Sequence, residues 1–175
     1  MKKFIFAAVV ILSLGFNSFA TETEFEGTVT KIVDGDTIHF RDSSNDRKRD
    51  LKIRMVGMDT PEAHFQNADG EIVSQSPWGE RAGQVLERLI PVGTKVTVRS
   101  SGLDKYHRVL GKVFYKGRDV NLMMIKLGWA VPYIICEGLS CNEQFFVREN
   151  VRAYLESCDA AREKEAGIFD PSERL

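Results

Sequence analysis

EFEGTVTKIVDGDTIHFRD, residues 24–42, reads as a β-hairpin. Glu24 to Val33 favour a strand, and Asp34-Gly35 is a strong tight-turn signal. From Asp36 to Arg41 the apolar Ile38 and Phe40 then alternate with polar neighbours, so one face of the second strand is dry and the other wet. Downstream, the polar run DSSNDRKRD is a loop. Leu51, Ile53 and Met55 alternate with Lys52 and Arg54 as a third antiparallel strand.

After a loop from Met58 to Gln75, Ser76 reads as an N-cap and Pro77 as the first residue of a helix. The apolar stripe of that helix is Ala82, Val85, Leu86 and Leu89. Thr94–Ser100 and Val109–Tyr115 alternate as two more strands, separated by the loop SGLDKYHR. Asp119 can cap a second helix with the stripe Val120, Met123, Met124 and Leu127. A third runs to about Ala166, with Val151, Tyr154, Leu155, Cys158 and Ala161 on one side and Gly167 placed to end it. Five short strands interrupted by a helix, with further helices behind, predict an α+β, mainly β fold: a five-stranded OB-type barrel with about three packed helices.

Residues 1–20 carry two lysines, an apolar run from Phe4 to Phe16, and small residues at Ser18 and Ala20, the layout of a secretory signal peptide cleaved after Ala20. The run is shorter than the ~20 residues that span a bilayer. A soluble product in the periplasm or outside the cell is expected, without stable membrane association after cleavage, with residues 21–175 forming a single domain. Removing Lys2 and Lys3 from 24 basic residues leaves 22 against 25 acidic ones, a net charge of −3. That balance argues against a bulk electrostatic binder of nucleic acid. Locally, Lys95 to Arg118 holds seven lysines and arginines against Asp104, with Asp119 next in the chain, so a basic face is available.

Three cysteines in an exported chain suggest one disulfide and one thiol. A helix starting near Glu143 would carry Cys158 about 22 Å along its axis from Cys141, which favours Cys136 with Cys141.

The segment IRMVGMDTPE sets Arg54, Asp59 and Glu62 close together, and the hairpin turn adds Asp34 and Asp36. If the first and third strands flank the second, Asp36 and Asp59 converge at one end of the barrel. Two carboxylates and a backbone carbonyl make a site for a hard cation such as Ca2+ or Mg2+, weakly held because water and phosphate must complete it. Arg54 and Arg108 can each pair with phosphate in the plane of the guanidinium. Glu62 can orient or deprotonate water, so the set meets the needs of phosphodiester hydrolysis. Taken singly, each feature has a bland reading as a turn, a solvated charge or a helix start; the conjunction carries the information. His39 and His64 read as surface residues, and Trp78 and Trp129 as packing residues.

VDGDT at 33–37, IRMVGMDTPE at 53–62, DKYHR at 104–108, VNLMMIKLGWA at 120–130 and AREKEAGIF at 161–169 resemble the staphylococcal nuclease (thermonuclease) family in order and spacing. The resemblance covers nearly all of the chain after residue 20. It implies a calcium-dependent endonuclease acting on DNA and RNA, single strands preferred, leaving 3′-phosphates and working as a monomer. It further implies Asp36, Asp59 and the Thr60 carbonyl as calcium ligands, with Asp34 behind them. Arg54, Glu62 and Arg108 take the catalytic places, and Lys105, Tyr106 and Tyr133 contact substrate. His107 stands where the family commonly has glycine, and GWAVPY is one residue short, which bears on Arg108 and Tyr133. The rival readings are a catalytically silent OB-type binding module and a calcium-dependent phosphoesterase for small phosphates.

Overall fold

The structure, a computed structural model, describes residues 23–43, 49–63, 65–66, 70–134, 136–137, 140–141 and 148–173. The segment expected to be a signal peptide, residues 1–20, and His64 lie outside the described residues. In chain order the first half holds β1 (Thr23–Ile32), β2 (Thr37–Asp42), β3 (Arg49–Met55), β4 (Gly57–Asp59), β5 (Phe65–Gln66), β6 (Ile72–Val73) and α1 (Trp78–Leu89). The second half holds β7 (Lys95–Leu103), β8 (Val109–Tyr115), β9 (Arg118–Asp119), α2 (Val120–Lys126), β10 (Val131–Tyr133), β11 (Cys136–Glu137), β12 (Ser140–Cys141) and α3 (Arg148–Glu163).

The five long strands pair in the order β3-β2-β1-β7-β8, and a parallel pairing of β3 with β8 closes them into a barrel. This is the predicted five-stranded mixed barrel with three helices, consistent with an OB fold. Closure follows from alternation: Ile38, Phe40, Ile53, Met55, Val98 and Val113 all point inward and are fully buried. Register shifts at Val29/Lys31 in β1 and Ser100/Gly102 in β7 supply the bulges that bend a sheet around a small core. Full burial of an aliphatic side chain of this size contributes about 1.5–3 kcal/mol.

The helices depart from the sequence reading in instructive ways. Pro77, not Ser76, occupies the N-cap of α1, and no side chain caps it. None is needed there, because the Trp78 and Gly79 N–H groups donate to the Gln75 carbonyl at 2.9 and 3.2 Å. In α2 the buried stripe is Val120, Asn121, Met124 and Ile125, and Leu127 is exposed. The cause is Asn121, whose Oδ1 accepts the Val113 N–H at 3.0 Å and whose Nδ2 donates to the Val56 carbonyl at 2.8 Å. A buried amide with partners on β8 and at the junction of β3 and β4 rotates the helix by one position. In α3, Tyr154 and Cys158 are buried while Leu155 is exposed.

α3 ends at Glu163 rather than near Ala166. Its final turn closes with Ala166 N–H donating to Ala161 O at 3.0 Å and Glu165 N–H to Arg162 O at 3.0 Å, with Glu165 itself left-handed at φ 52°. Gly167 serves another purpose. A Cβ there would lie 2.4 Å from the Gly128 carbonyl oxygen, and one at Gly128 would lie 2.1 Å from that of Ala166. The two glycines let the ends of α2 and α3 touch backbone to backbone.

Cys158 is a free, buried thiol, as the sequence geometry anticipated. Cys136 and Cys141 face one another across the β11–β12 ladder, and their side chains lie outside the description. Trp129 packs against the core. Among the described residues, no helix is long and apolar enough to cross a membrane.

Candidate active site

Because β2 lies between β1 and β3, the hairpin turn and the end of β3 meet at one end of the barrel. Thr37 pairs with Arg54, and Asp36 holds the Met55 N–H on its carbonyl at 2.8 Å. The carboxylate of Asp36 is buried and heavily partnered. Oδ1 accepts the Thr37 hydroxyl at 3.0 Å, and Oδ2 accepts the Thr60 hydroxyl and N–H at 3.3 and 3.4 Å. Asp34 Oδ1 in turn accepts the Asp36 N–H at 3.0 Å, which locks the turn.

Arg54 joins the two acids. Its Nη1 is ion-paired with Asp36 Oδ2, and its Nη2 contacts Asp59 Oδ1 at 2.5 Å. A single guanidinium therefore spans both carboxylates, which places them within one cation's reach. Asp36 is almost wholly buried and Asp59 nearly half exposed, so one acid is a fixed anchor and the other faces solvent. Asp36 and Asp59 thus bring together carboxylate oxygens, the donors that hard divalent cations take. Among the described residues, no group of three or more His, Cys, Asp or Glu side chains could hold a metal ion. With so few protein donors, solvent and substrate have to complete any coordination shell.

Glu62 sits beside this pair. Burial, followed by the charge of Asp34, raises its carboxyl above the ordinary range, while Arg54 and Arg108 pull the other way. The charges of Asp34, Arg54, Asp59 and Arg108 are thus all felt at one carboxylate. Burial likewise raises Asp34, against the pull of Arg54. The Glu62 backbone is held by Gln75, whose Oε1 accepts its N–H at 2.7 Å and whose own N–H donates to its carbonyl at 2.9 Å. Gly79 lets α1 press on this loop, since a Cβ there would fall 2.3 Å from the Ala63 nitrogen. The sequence reading missed Gln75, which lies 13 positions from the group it holds.

Arg108 is held by Asp104, to which the sequence reading assigned no role in the site. Asp104 Oδ2 accepts Arg108 Nε at 2.7 Å, and Oδ1 accepts the N–H groups of Arg108 and Tyr106 at 2.9 and 2.8 Å. Burial would raise Asp104, but these hydrogen bonds outweigh it and hold its carboxyl low. With Nε taken, the outer nitrogens of Arg108 are left to meet a ligand. Tyr106 is exposed, with Lys105 Nζ 5.0 Å and Arg108 Cζ 5.5 Å from its ring centroid. Tyr133 is exposed on β10, whose ladder with β4 pairs Val131 with Asp59 and Tyr133 with Gly57. Directly opposed residues share a face of the ladder, so Tyr133 and Asp59 project from the same side.

His107 keeps the backbone that glycine favours, with φ 60°. A side chain in the left-handed region costs roughly 1–2 kcal/mol, which the Asp104 bonds hold in place. His107→Gly should recover part of it, for a net gain of about 0.5–1 kcal/mol after glycine's greater freedom in the unfolded chain. A urea midpoint that falls instead would show that the imidazole itself stabilises the loop.

Fold and site together define a class: an OB-like barrel whose β2–β3 end gathers two carboxylates, a flanking glutamate and two anchored arginines. Residues 52–169 match the family of staphylococcal nuclease homologues, and the chain belongs to it. It is 32% identical over 159 residues to endonuclease YhcR of Bacillus subtilis, covering 89% of this chain but only 12% of that protein. It is 31% identical over 172 residues to the probable endonuclease LCL3 of Yarrowia lipolytica, covering 85% of this chain and 71% of the relative. An uncharacterized endonuclease of Escherichia coli is 31% identical over 111 residues, 63% of this chain and 62% of the relative.

Proposed function

We propose that the protein is an exported, calcium-dependent endonuclease that hydrolyses DNA and RNA, preferably single-stranded, and leaves 3′-phosphates. The observation that carries this reading is the bridging of Asp36 and Asp59 by Arg54 beside Glu62. Family membership and relatives named as endonucleases support it.

Asp36, Asp59 and the Thr60 carbonyl would hold the calcium ion, with Asp34 stiffening the turn behind them. Once bound, the ion supplies positive charge against a phosphate oxygen. Glu62 orients the attacking water and accepts its proton as the water oxygen bonds to phosphorus. Arg54 and Arg108 neutralise the charge building on the non-bridging oxygens. The bond from phosphorus to the 5′ oxygen breaks, that oxygen takes a proton from solvent, and the phosphate stays on the 3′ side. Lys105, Tyr106 and Tyr133 line the approach. The protein acts as a monomer in the periplasm or outside the cell.

Purified protein should degrade denatured DNA and RNA in calcium, lose activity by at least about 100-fold in chelator, and regain it when calcium is restored. Hydrolysis indifferent to chelator would remove the metal from the mechanism. Oligonucleotide bound but left whole in calcium would establish the silent binding module instead.

A further inference from the structure

We infer that Lys31, His39 and Lys52 form a track on the outer face of the barrel that carries a single-stranded polynucleotide onward from the phosphate held at Arg54. The inference deepens the nuclease reading and rests on it. The residues come from three strands, and the register alone brings them together. Lys31 on β1 pairs with His39 on β2, and His39 pairs with Lys52 on β3. The bulge after Val29 matters here, because it is what sets Lys31 opposite His39.

The row lies on the same face as the site. Ile53 and Met55 point into the barrel, so Lys52 and Arg54 point out of it, and Thr37, two positions before His39, pairs with Arg54. Paired residues on neighbouring strands lie about 5 Å apart, and residues two apart along a strand about 6.8 Å apart. The row is thus one step from Arg54 and roughly 10 Å wide.

Lys31 and Lys52 are exposed, and His39 is half-buried between them. Asp50, two positions before Lys52 on the same face of β3, is engaged by Arg41 Nε at 2.8 Å, and Asp36 and Asp59 are engaged by Arg54. No ion pair neutralises the row among the described residues. In a chain of formal net charge −1, a row of bases beside the site fits a polyanion that continues past it. The His39 ring between two ammonium groups offers a flat surface to a base, so the row matches the charge-plus-ring pattern of single-strand grooves.

The test uses the full chain and the double variant Lys31→Ala/Lys52→Ala, with the double variant Lys126→Ala/Lys164→Ala as a control for net charge. Binding of a fluorescent deoxyribonucleotide 12-mer is measured in chelator between 50 and 200 mM salt. Losing two phosphate contacts should lower the slope of log K against log salt by about 1.4, at ~0.7 per contact on single strands. In calcium, the ratio of kcat/KM on the 12-mer to kcat/KM on a dinucleotide should fall about tenfold in the double variant and hold in the control. Cleavage by both proteins with slope and ratio unchanged overturns the track alone. A wild-type chain that neither binds nor cleaves the 12-mer overturns the nuclease reading and the track together.

Discussion

Glu62→Gln is expected to lower kcat by two to four orders of magnitude while leaving the protein folded and able to bind oligonucleotide. The magnitude is that of losing a general base. Glutamine keeps the shape of the side chain, and the two hydrogen bonds to Gln75 run through the Glu62 backbone, so they survive the change. Its effect on stability should be nil or slightly favourable. Burial and the charge of Asp34 hold the folded Glu62 carboxyl above its ordinary value. Such a group contributes stability below its unfolded value and loses it as pH rises through the folded one, so at neutral pH a neutral amide gives up nothing. A variant that kept more than about a tenth of wild-type kcat would rule out Glu62 as the base.

Asp119→Ala should unfold the protein far more easily, by about 3–5 kcal/mol. The carboxylate has two duties. Oδ1 caps α2 by accepting the Leu122 N–H at 3.0 Å, which contributes about 1 kcal/mol. Oδ2 accepts the Tyr154 hydroxyl at 3.0 Å and faces Lys112 Nζ at 3.4 Å. The Lys112 side chain is only 7% exposed and lies 5.0 Å from the Tyr154 ring centroid, so three elements converge on one carboxylate. Burial and the Asp119 charge push the Tyr154 phenol well up, which keeps it a donor. Removing the acid facing a buried ammonium typically costs 3–5 kcal/mol, a large share of the 5–15 kcal/mol that holds a domain together. Asp119→Asn keeps an acceptor for the cap and for Tyr154 and loses only the charge, so its urea midpoint should fall between the two. Equal midpoints for Asn and Ala would mean that the charge facing Lys112 carries the whole effect.

The same contrast separates what could be read early from what could not. Barrel strands were legible because a strand with one buried face writes a period of two, as Ile38 and Phe40 or Ile53 and Met55 do. Helical faces were legible only to within a residue. A step of 100° leaves two neighbouring stripes nearly equivalent, and the choice fell to Asn121 and its partners on β4's approach and β8, which exposed Leu127. Asp36, Asp59, Arg54, Glu62 and Arg108 stood out because their motifs are compact. The groups that hold two of them did not stand out. Gln75 acts on Glu62 through a loop, and Asp104 looks in sequence like one acid among bases.

The sequence by itself determined the strands, the approximate helices and the residue types gathered for phosphodiester chemistry, since these depend on local periodicity and short motifs. Only the tertiary structure decided that Arg54 spans Asp36 and Asp59, that Lys31, His39 and Lys52 share one row, and that Asp119 ties α2 to α3 and β8. Each of those depends on pairing register and closure across the barrel, where a slip of one residue turns a side chain to the opposite face.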